Sequence, residues 1–249
     1  MGRRLHIAAK QLSSSLSAYS KRFDFLEVSM PASGHEASPT PFTRSALRRW
    51  RKQVPPHFEF GVVVGPTAST LKVSPAFEDE VTAALTSAAA LEARCIILRT
   101  PREVTPSALN IDRLGKLRDR FPRDVTNVIW EPQGVWETDA AAVVAKKLGL
   151  VLAVDPSRDP VPAGPVAYLR LRALGETRSF GPSALQRILE SVGAQRRDVY
   201  FVFETSSALS ECKALRRLAQ EAPGRSEGGM ARLVRPRALA VKVKDDEQE

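Results

Sequence analysis

Eight short apolar segments, rich in Val, Ile and Phe, alternate with longer amphipathic segments along this chain of 249 residues. Apolar runs of this length are typical of strands buried on both faces, as in a parallel sheet. The predicted strands are residues 5–9, 25–30, 58–64, 95–100, 127–131, 150–155, 167–172 and 199–204. Helices are predicted between them at residues 12–22, 41–53, 75–93, 110–121, 139–148, 182–192 and 208–222. The alternation predicts an α/β protein.

The connection between the sixth and seventh strands departs from this alternation. Residues 156–165 read PSRDPVPAGP, and four prolines in ten residues exclude a helix. Eight strands, seven helices, short connections and the chain length favour a barrel over an open doubly wound sheet. A doubly wound nucleotide fold also needs a glycine-rich turn after its first strand, and residues 8–11 (AAKQ) contain no glycine. We therefore predict an irregular TIM-type (β/α) barrel that lacks the helix after its sixth strand.

The C-terminal segment differs in composition from the rest of the chain. Residues 223–249 contain a Gly-Gly pair, a basic stretch and an acidic end. We predict a barrel domain over residues 1–222 and a partly ordered extension over residues 223–249. A sharper hypothesis makes the extension an arm for nucleic acid or another partner. Its cations are Arg225, Arg232, Arg235, Arg237, Lys242 and Lys244, and it has no aromatic residue that stacks on bases.

Cysteine, histidine and hydropathy patterns exclude several classes of protein. Cys95 and Cys212 are too few for a disulfide framework, and the three histidines lack companions at zinc-ligand spacing. No apolar run approaches the roughly 20 residues of a membrane span, and residues 1–10 lack the apolar core of a signal peptide. We expect a cytoplasmic protein that does not associate with membranes.

The net charge of +9 permits two interpretations. Excess cations neutralise phosphates in nucleic-acid-binding proteins, so a nucleic-acid partner at the basic surface is one hypothesis. Surplus arginine on helix surfaces also keeps a protein soluble without any specific partner, and we favour this second interpretation. The charge predicts nothing about the oligomeric state.

Charged residues lie near the ends of the predicted strands. In parallel barrels the carboxyl ends of the strands and the loops after them form the ligand site. The residues at those ends are Glu27, Arg99, Glu131, Asp155, Arg170, Arg172 and Glu204. Strand alternation places Tyr168, Arg170 and Arg172 on one face. Buried arginines need carboxylate partners, and the four acids are the candidates.

Two interpretations of these charges are open. The first is a pocket that binds an anionic ligand through Glu27, Arg99, Arg170, Arg172 and Glu204, with Glu131 or Asp155 as a general base. The second is an internal ion-pair network that closes the top of the barrel. Two converging carboxylates would hold Mg²⁺ or Mn²⁺, but acids on separate strands favour this weakly, so we predict no metal and no other cofactor. P-loop, HExxH and GxSxG motifs are absent from the sequence.

The three tryptophans have different expected roles. Trp136 follows the fifth strand and is the candidate wall on which a ligand stacks. Trp130 lies inside that strand and is expected in the core. Trp50 lies within the basic run 48–52 and is expected to anchor its helix, with the flanking charges in solvent.

An ordered series of short elements over residues 5–222 resembles the DUF72 (YecE-like) family of TIM-type barrels. The series is Tyr19 to Phe23, Phe25 to Val28, Trp50, Val54-Pro55, Phe58 to Phe60, Leu98 to Pro101, Trp130-Glu131, Trp136, Asp155 and Tyr168 to Arg170. The resemblance implies the same barrel, and the family has no settled activity to transfer.

Several polar positions depart from the pattern of that family. Ser29 stands where the family usually has Asn, and Val63 where a lysine is usual. Its Gln-x-Pro element is Arg99-Thr100-Pro101 here, and its Glu-x-Arg element is Glu131-Pro132-Gln133. A histidine is usual near Arg172, and an Asn pair near Glu204-Thr205. The chain is thus identified as a divergent member, in which an activity common to the family is lost or changed.

Three functional hypotheses follow from the sequence. The first has two forms. The strand ends form a pocket that binds an anionic, phosphorylated ligand, or that end of the barrel serves as an interaction scaffold. The second is a hydrolase that acts on a phosphorylated or nucleic-acid substrate, with Glu131 or Asp155 as the base. The third is nucleic-acid binding by the basic surface and the C-terminal extension.

Overall fold

A computed structural model describes residues 4–10, 12, 15–29, 43–122, 126–173, 179–193 and 198–221. Residues 223–249, predicted as a separate extension, lie outside these ranges. The strands are β1 (Arg4–Ala9), β2 (Phe25–Ser29), β3 (Glu59–Val63), β4 (Cys95–Thr100), β5 (Asn127–Pro132), β6 (Val151–Val154), β7 (Val166–Leu171) and β8 (Asp198–Phe203). Each described strand matches a predicted strand to within one or two residues at its ends.

The eight strands are parallel and follow one another around a nearly closed barrel. Hydrogen-bonded ladders join them in the order β1-β8-β7-β6-β5-β4-β3-β2. β1 and β2 meet at a seam, where the amide of Asp24 donates to the carbonyl of Ile7 at 2.8 Å. Tyr19, which is 1% exposed, spans the seam with its hydroxyl. That hydroxyl lies 3.0 Å from the amide and the carbonyl of Ala9 and 3.0 Å from the carbonyl of Phe25.

Helices cover the outside of the barrel. They are α1 (Leu16–Ser20), α2 (Arg44–Gln53), α3 (Pro66–Ser69), α4 (Pro75–Leu91), α5 (Ala108–Arg118), α6 (Thr138–Leu148), α7 (Pro182–Ser191) and α8 (Ala208–Glu221). The described residues contain no helix between β6 and β7, which confirms the prediction from the prolines of that connection. No helix within the described ranges is long and apolar enough to cross a membrane.

Helix ends follow the capping side chains. Ser15 begins α1 by accepting a hydrogen bond from the amide of Ala18, so the helix is shorter than the predicted 12–22. Ser107 begins α5 in the same way, two residues earlier than predicted. The sequence analysis missed α3, because a four-residue helix is too short for a hydrophobic period.

The strands separate two apolar layers. The outer layer lies between strands and helices, and the inner layer fills the barrel. The inner layer consists of Ala8, Phe25, Val63, Cys95, Ile97, Ile129, Tyr168, Tyr200 and Val202. Gly61 belongs to this face, and a Cβ atom there would lie 2.6 Å from the Phe25 ring and 2.7 Å from Ile97. The barrel is therefore packed with side chains, and an open site is possible only at its ends.

Candidate functional site

Seven charged side chains converge at the carboxyl ends of the strands. They are Lys10 after β1, Glu27 on β2, Arg99 on β4, Glu131 on β5, Arg170 on β7, Arg172 after β7 and Glu204 after β8. Arg99 and Glu131 are direct neighbours in the β4–β5 register. Six of the positions continue the alternation of the inner layer by one step, and Arg172 continues it by two steps beyond Tyr168. This alternation turns the side chains toward the barrel axis. We call this group the mouth cluster.

Arg170 lies at the centre of the mouth cluster. Its residue is 1% exposed, which makes it one of the largest fully buried side chains. Its guanidinium donates to Glu27 from Nη1 at 2.9 Å and from Nη2 at 2.5 Å. Nε donates to Oε2 of Glu131 at 3.0 Å, and Nη1 lies 3.5 Å from Oε1 of Glu204. One cation thus neutralises carboxylates from three strands. Strand alternation left two directions open for Arg170 and Arg172, and the structure has both side chains on the inward face with acidic partners.

Arg99 bridges two of the same carboxylates from the opposite side. Its Nη2 donates to Oε2 of Glu27 at 2.7 Å, and its Nε donates to Oε2 of Glu131 at 3.0 Å. Tyr168 lies two residues before Arg170 on the same face of β7. It donates its hydroxyl hydrogen to Oε1 of Glu27. Glu27 therefore accepts from two guanidinium groups and one phenol, and both of its oxygens are occupied.

Glu204 accepts hydrogen bonds from two cations at the other side of the mouth. Lys10 donates to its Oε2 at 3.0 Å, and Nε of Arg172 donates to the same oxygen at 3.2 Å. Arg172 also reaches Oε1 of Glu131 through Nη2. The sequence analysis missed Lys10, although it directly follows β1 and so met the same positional criterion as the other site residues.

The neighbouring cations lower the pKa values of the buried glutamates Glu27 and Glu204. Burial by itself raises the pKa of Glu27, but Arg170 and Arg99 outweigh it, so the pKa lies below its usual range. Burial likewise opposes ionisation of Glu204, and its hydrogen bond to Lys10 with the charges of Arg170 and Arg172 lowers its pKa overall. Burial is the main reason that the pKa of Tyr168 is raised well above its usual value, so its hydroxyl remains a donor to Glu27.

Acids and bases differ in their exposure to solvent. The exposed fractions of the side chains are 4% for Glu27, 6% for Glu131 and 10% for Glu204, against 26% for Arg99, 47% for Arg172 and 49% for Lys10. Arg170 and the three carboxylates thus form a buried layer, and Lys10, Arg99 and Arg172 form the layer above it. The mouth presents positive charge to water although its acids and bases nearly balance.

A cavity of about 210 Å³ opens beside the mouth cluster, on the side where no helix follows β6. Its lining includes Glu131, Trp136, Asp155, Arg158, Arg170 and Arg172. The absence of a helix between described residues 155 and 165 leaves this side of the barrel less covered. Five of the eight site residues predicted from sequence therefore line one cavity.

Trp136 is held in place at the edge of this cavity. Its Nε1 donates to the carbonyl of Val104 at 2.6 Å, and its ring packs edge to face on Trp130 with centroids 4.8 Å apart. Trp130 is fully buried, as predicted, and donates to the hydroxyl of Thr100 at 3.0 Å. The indole of Trp136 is a fixed apolar surface, which is the property expected of a ligand wall.

Asp155 lines the cavity but stands apart from the ion pairs. Its Oδ1 accepts hydrogen bonds from the amide of Ser157 at 3.0 Å and from the hydroxyl of Ser157 at 2.6 Å. It makes no ion pair with any residue in the described ranges, so of the four candidate acids only Glu27, Glu131 and Glu204 neutralise the arginines. The reason is local: an aspartate before a turn bonds to the backbone two residues later.

The described residues contain no group of three His, Cys, Asp or Glu side chains that could hold a metal ion. The carboxylates that converge, Glu27 and Glu131, share their oxygens with Arg99 and Arg170 instead.

The model of one protein family, described as a protein of unknown function, DUF72, matches residues 8–234. The chain belongs to the DUF72 family. Among solved structures, this DUF72 barrel is similar to a DUF72 protein of Enterococcus faecalis V583, with a TM-score of 0.63 at 18% identity, covering 88% of this chain and 98% of the other. No protein with a curated description matches the sequence.

Similar barrels occur in a second DUF72 protein and in a protein of another family. A DUF72 protein of Thermotoga maritima MSB8 superimposes with a TM-score of 0.65 at 13% identity, covering 88% of this chain and 100% of the other. A family 2 AP endonuclease from Brucella melitensis gives a TM-score of 0.58 at 16% identity, covering 88% and 99%. At these identities the likeness concerns the fold alone, so the function of this DUF72 protein has to be inferred from its own residues.

Proposed function

We propose that the mouth of this DUF72 barrel binds a small anionic ligand, of the phosphate monoester class, above the mouth cluster. The observation that supports this most is the order of the two charged layers. Lys10 and Arg172 are exposed and Arg99 is partly exposed, and the carboxylates that balance them are buried below. An incoming anion meets guanidinium and ammonium donors first, and these form strong charge-assisted hydrogen bonds to phosphate oxygens.

The buried layer supports the same proposal because it holds the donors in position. Arg99 and Arg172 are tethered through their Nε atoms to Glu131 and Glu204, at 3.0 and 3.2 Å. Each guanidinium keeps further N–H groups that can turn toward the mouth. Preorganised donors lose less conformational entropy on binding than free arginines do.

The neighbouring cavity accounts for the organic part of the ligand. Its volume of about 210 Å³ is below the usual range for drug-sized ligands, so the ligand is small. Trp136 forms one wall, and Arg158 is an exposed cation on the same lining. A phosphorylated sugar matches this combination of an aromatic face and a cationic rim.

Isothermal titration calorimetry with inorganic phosphate and with glucose 6-phosphate tests the proposal. We expect the native protein to bind both and Lys10→Gln/Arg172→Gln to bind about tenfold or more weakly, since charged hydrogen bonds contribute about 1.5–3 kcal/mol each. Arg94→Gln is the matched control, because Arg94 lines a separate cavity at the opposite end of the barrel. Absence of binding, or equal loss in the control, contradicts the proposal.

A second candidate function is hydrolysis of a phosphate ester with Asp155 as the general base. In its favour, Oδ2 of Asp155 accepts no hydrogen bond from the described residues, and the side chain lines the cavity. Glu131 fits the role less well, because Arg99, Arg170 and Arg172 occupy both of its oxygens. Release of p-nitrophenol from p-nitrophenyl phosphate, with and without Mg²⁺ or Mn²⁺, tests this candidate. Loss of that release in Asp155→Asn, with ligand binding retained, supports it; no release in the native protein contradicts it.

A further inference from the structure

The outward face of α2 carries a dense group of cations. The helix reads RSALRRWRKQ, with five cations and no acid in ten residues. Leu47 is buried, and Trp50 packs against the apolar core. The exposed cations are Arg44, Arg48, Arg49 and Lys52, and we call them the α2 basic face.

The α2 basic face is a regular row. Arg44, Arg48 and Lys52 are four residues apart, which places them on one side of the helix at intervals of about 6 Å along its axis. Arg49 lies beside this row, and the side chains border a shallow open concavity. The arrangement offers repeated positive charges along a line.

Within the described part of the chain, no acid neutralises these charges. None of the four side chains forms an ion pair with another described residue, whereas other exposed cations do. Arg120 pairs with Glu78 at 2.7 Å, and Lys116 pairs with Asp112 at 2.7 Å. Like charges at four-residue spacing destabilise a helix, so the row opposes the helix that holds it. Such a local conflict is typical of a surface selected for an external partner.

We propose that the α2 basic face binds the phosphate backbone of a nucleic acid. A row of cations at a fixed spacing matches a polymer whose negative charges repeat. Three of the four are arginines, whose planar guanidinium groups donate two parallel hydrogen bonds to one phosphate. This inference does not depend on ligand binding at the barrel mouth, which lies on different residues.

The apolar residues of α2 favour nucleic acid over an anionic membrane surface. A helix that lies in a membrane interface exposes an apolar face to the lipid. Here the large apolar side chains, Leu47 and Trp50, are turned toward the protein. The exposed side chains of the helix are polar or charged throughout, so they suit a hydrophilic polyanion.

Fluorescence anisotropy with a labelled 20-base-pair duplex, measured from 50 to 200 mM NaCl, tests the proposal on the full chain. We expect Arg48→Gln/Arg49→Gln to bind about tenfold or more weakly at 100 mM salt. We also expect the slope of log K against log[salt] to fall by about 1 to 2, because each lost phosphate contact removes roughly 0.9. Arg48→Lys/Arg49→Lys keeps both charges and should retain most of the slope.

Lys146→Gln/Lys147→Gln is the matched control, because these two residues are also adjacent and exposed, on α6. Its slope should equal that of the native protein. Equal slopes in all variants, or no binding of the duplex, overturn the proposal. Binding to vesicles of phosphatidylserine and phosphatidylcholine that depends on Arg48 and Arg49, without binding to the duplex, also overturns it and assigns the face to membranes.

Discussion

Arg170 and Glu27 form a two-point ion pair inside the barrel, with Nη1–Oε2 at 2.9 Å and Nη2–Oε1 at 2.5 Å and with side chains that are 1% and 4% exposed. The sequence left two alternatives for these charges, an anion-binding pocket and an internal ion-pair network, and the depth of this pair distinguishes the residues that fit each one. The buried layer around Arg170 is the ion-pair network that closes the top of the barrel. The more exposed layer of Lys10, Arg99 and Arg172 is the part that we propose to bind a ligand.

Removing the buried cation should destabilise the protein strongly. Arg170→Met leaves the carboxylates of Glu27 and Glu131 buried with fewer partners, so we expect a loss of about 3–5 kcal/mol in the free energy of unfolding. Arg172→Met is the comparison, because that side chain is 47% exposed and should lose at most about 1 kcal/mol. Urea denaturation measures both. Equal losses would show that the two layers are energetically the same.

Acid should destabilise the protein through the mouth cluster. The pKa values of Glu27 and Glu204 are lowered in the folded state, while an unfolded glutamate titrates near pH 4.3. Their contribution to stability is therefore complete above about pH 5 and declines as the pH falls through the folded-state pKa values. We expect the free energy of unfolding to fall progressively in urea titrations as the pH is lowered below about 5.

Glu204→Gln should make that decline shallower, because the substituted side chain no longer titrates. Glu221→Gln, at an exposed position at the end of α8, is the control and should follow the native curve. A Glu204→Gln curve parallel to the native one would remove this residue from the explanation.

The hydroxyl of Tyr19 is one of the links across the seam of the barrel. Tyr19→Phe removes the group that bonds to both Ala9 and Phe25, so we expect a loss of about 1–3 kcal/mol and faster exchange of the Ala9 amide hydrogen. Ser20→Ala, which removes a hydroxyl bonded within the exposed helix, should change stability by less than about 0.5 kcal/mol. Denaturation and hydrogen exchange give the comparison, and an unchanged Ala9 exchange rate would contradict the role of Tyr19.

Trp136 should report ligand binding. Trp130 is fully buried, and Trp50 lies on the outer side of the barrel, so a ligand in the mouth cavity contacts only Trp136 among the three tryptophans. We expect glucose 6-phosphate to change the tryptophan emission of the native protein but not that of Trp136→Phe. Trp136→Leu, which removes the aromatic ring, should also bind about two- to tenfold more weakly, since an aromatic contact contributes roughly 0.5–1.5 kcal/mol. A full emission change in Trp136→Phe would place the ligand elsewhere.

The sequence predicted the barrel and most of the mouth because both depend on strand periodicity. Alternation along β7 was sufficient to turn Tyr168 and Arg170 to the same side, and the parallel arrangement brought Glu27, Glu131 and Glu204 to one end. Asp155 satisfied the same positional criterion, but a turn bond to Ser157 took it out of the ion pairs. A hydrogen bond of this kind depends on the geometry of the turn, which the alternation of strand residues does not describe.

The division into buried acids and exposed bases was not predictable from the pattern. All seven residues of the mouth cluster occupy similar positions at strand ends, and their depth depends on side-chain length and on the exact end of each strand. Lys10 reaches Glu204 because its long side chain extends from the residue after β1. The alternation of residues along a strand predicts the direction of a side chain but not how deeply it is buried.

Titration of inorganic phosphate into ¹⁵N-labelled protein, followed through the arginine Nε–Hε resonances, tests ligand binding at the mouth most directly. We predict saturable shifts at Arg99 and Arg172, with no shift at Arg94 near the opposite end. No shift at the mouth arginines, or equal shifts at Arg94, would contradict the claim that exposed cations above buried carboxylates form an anion site.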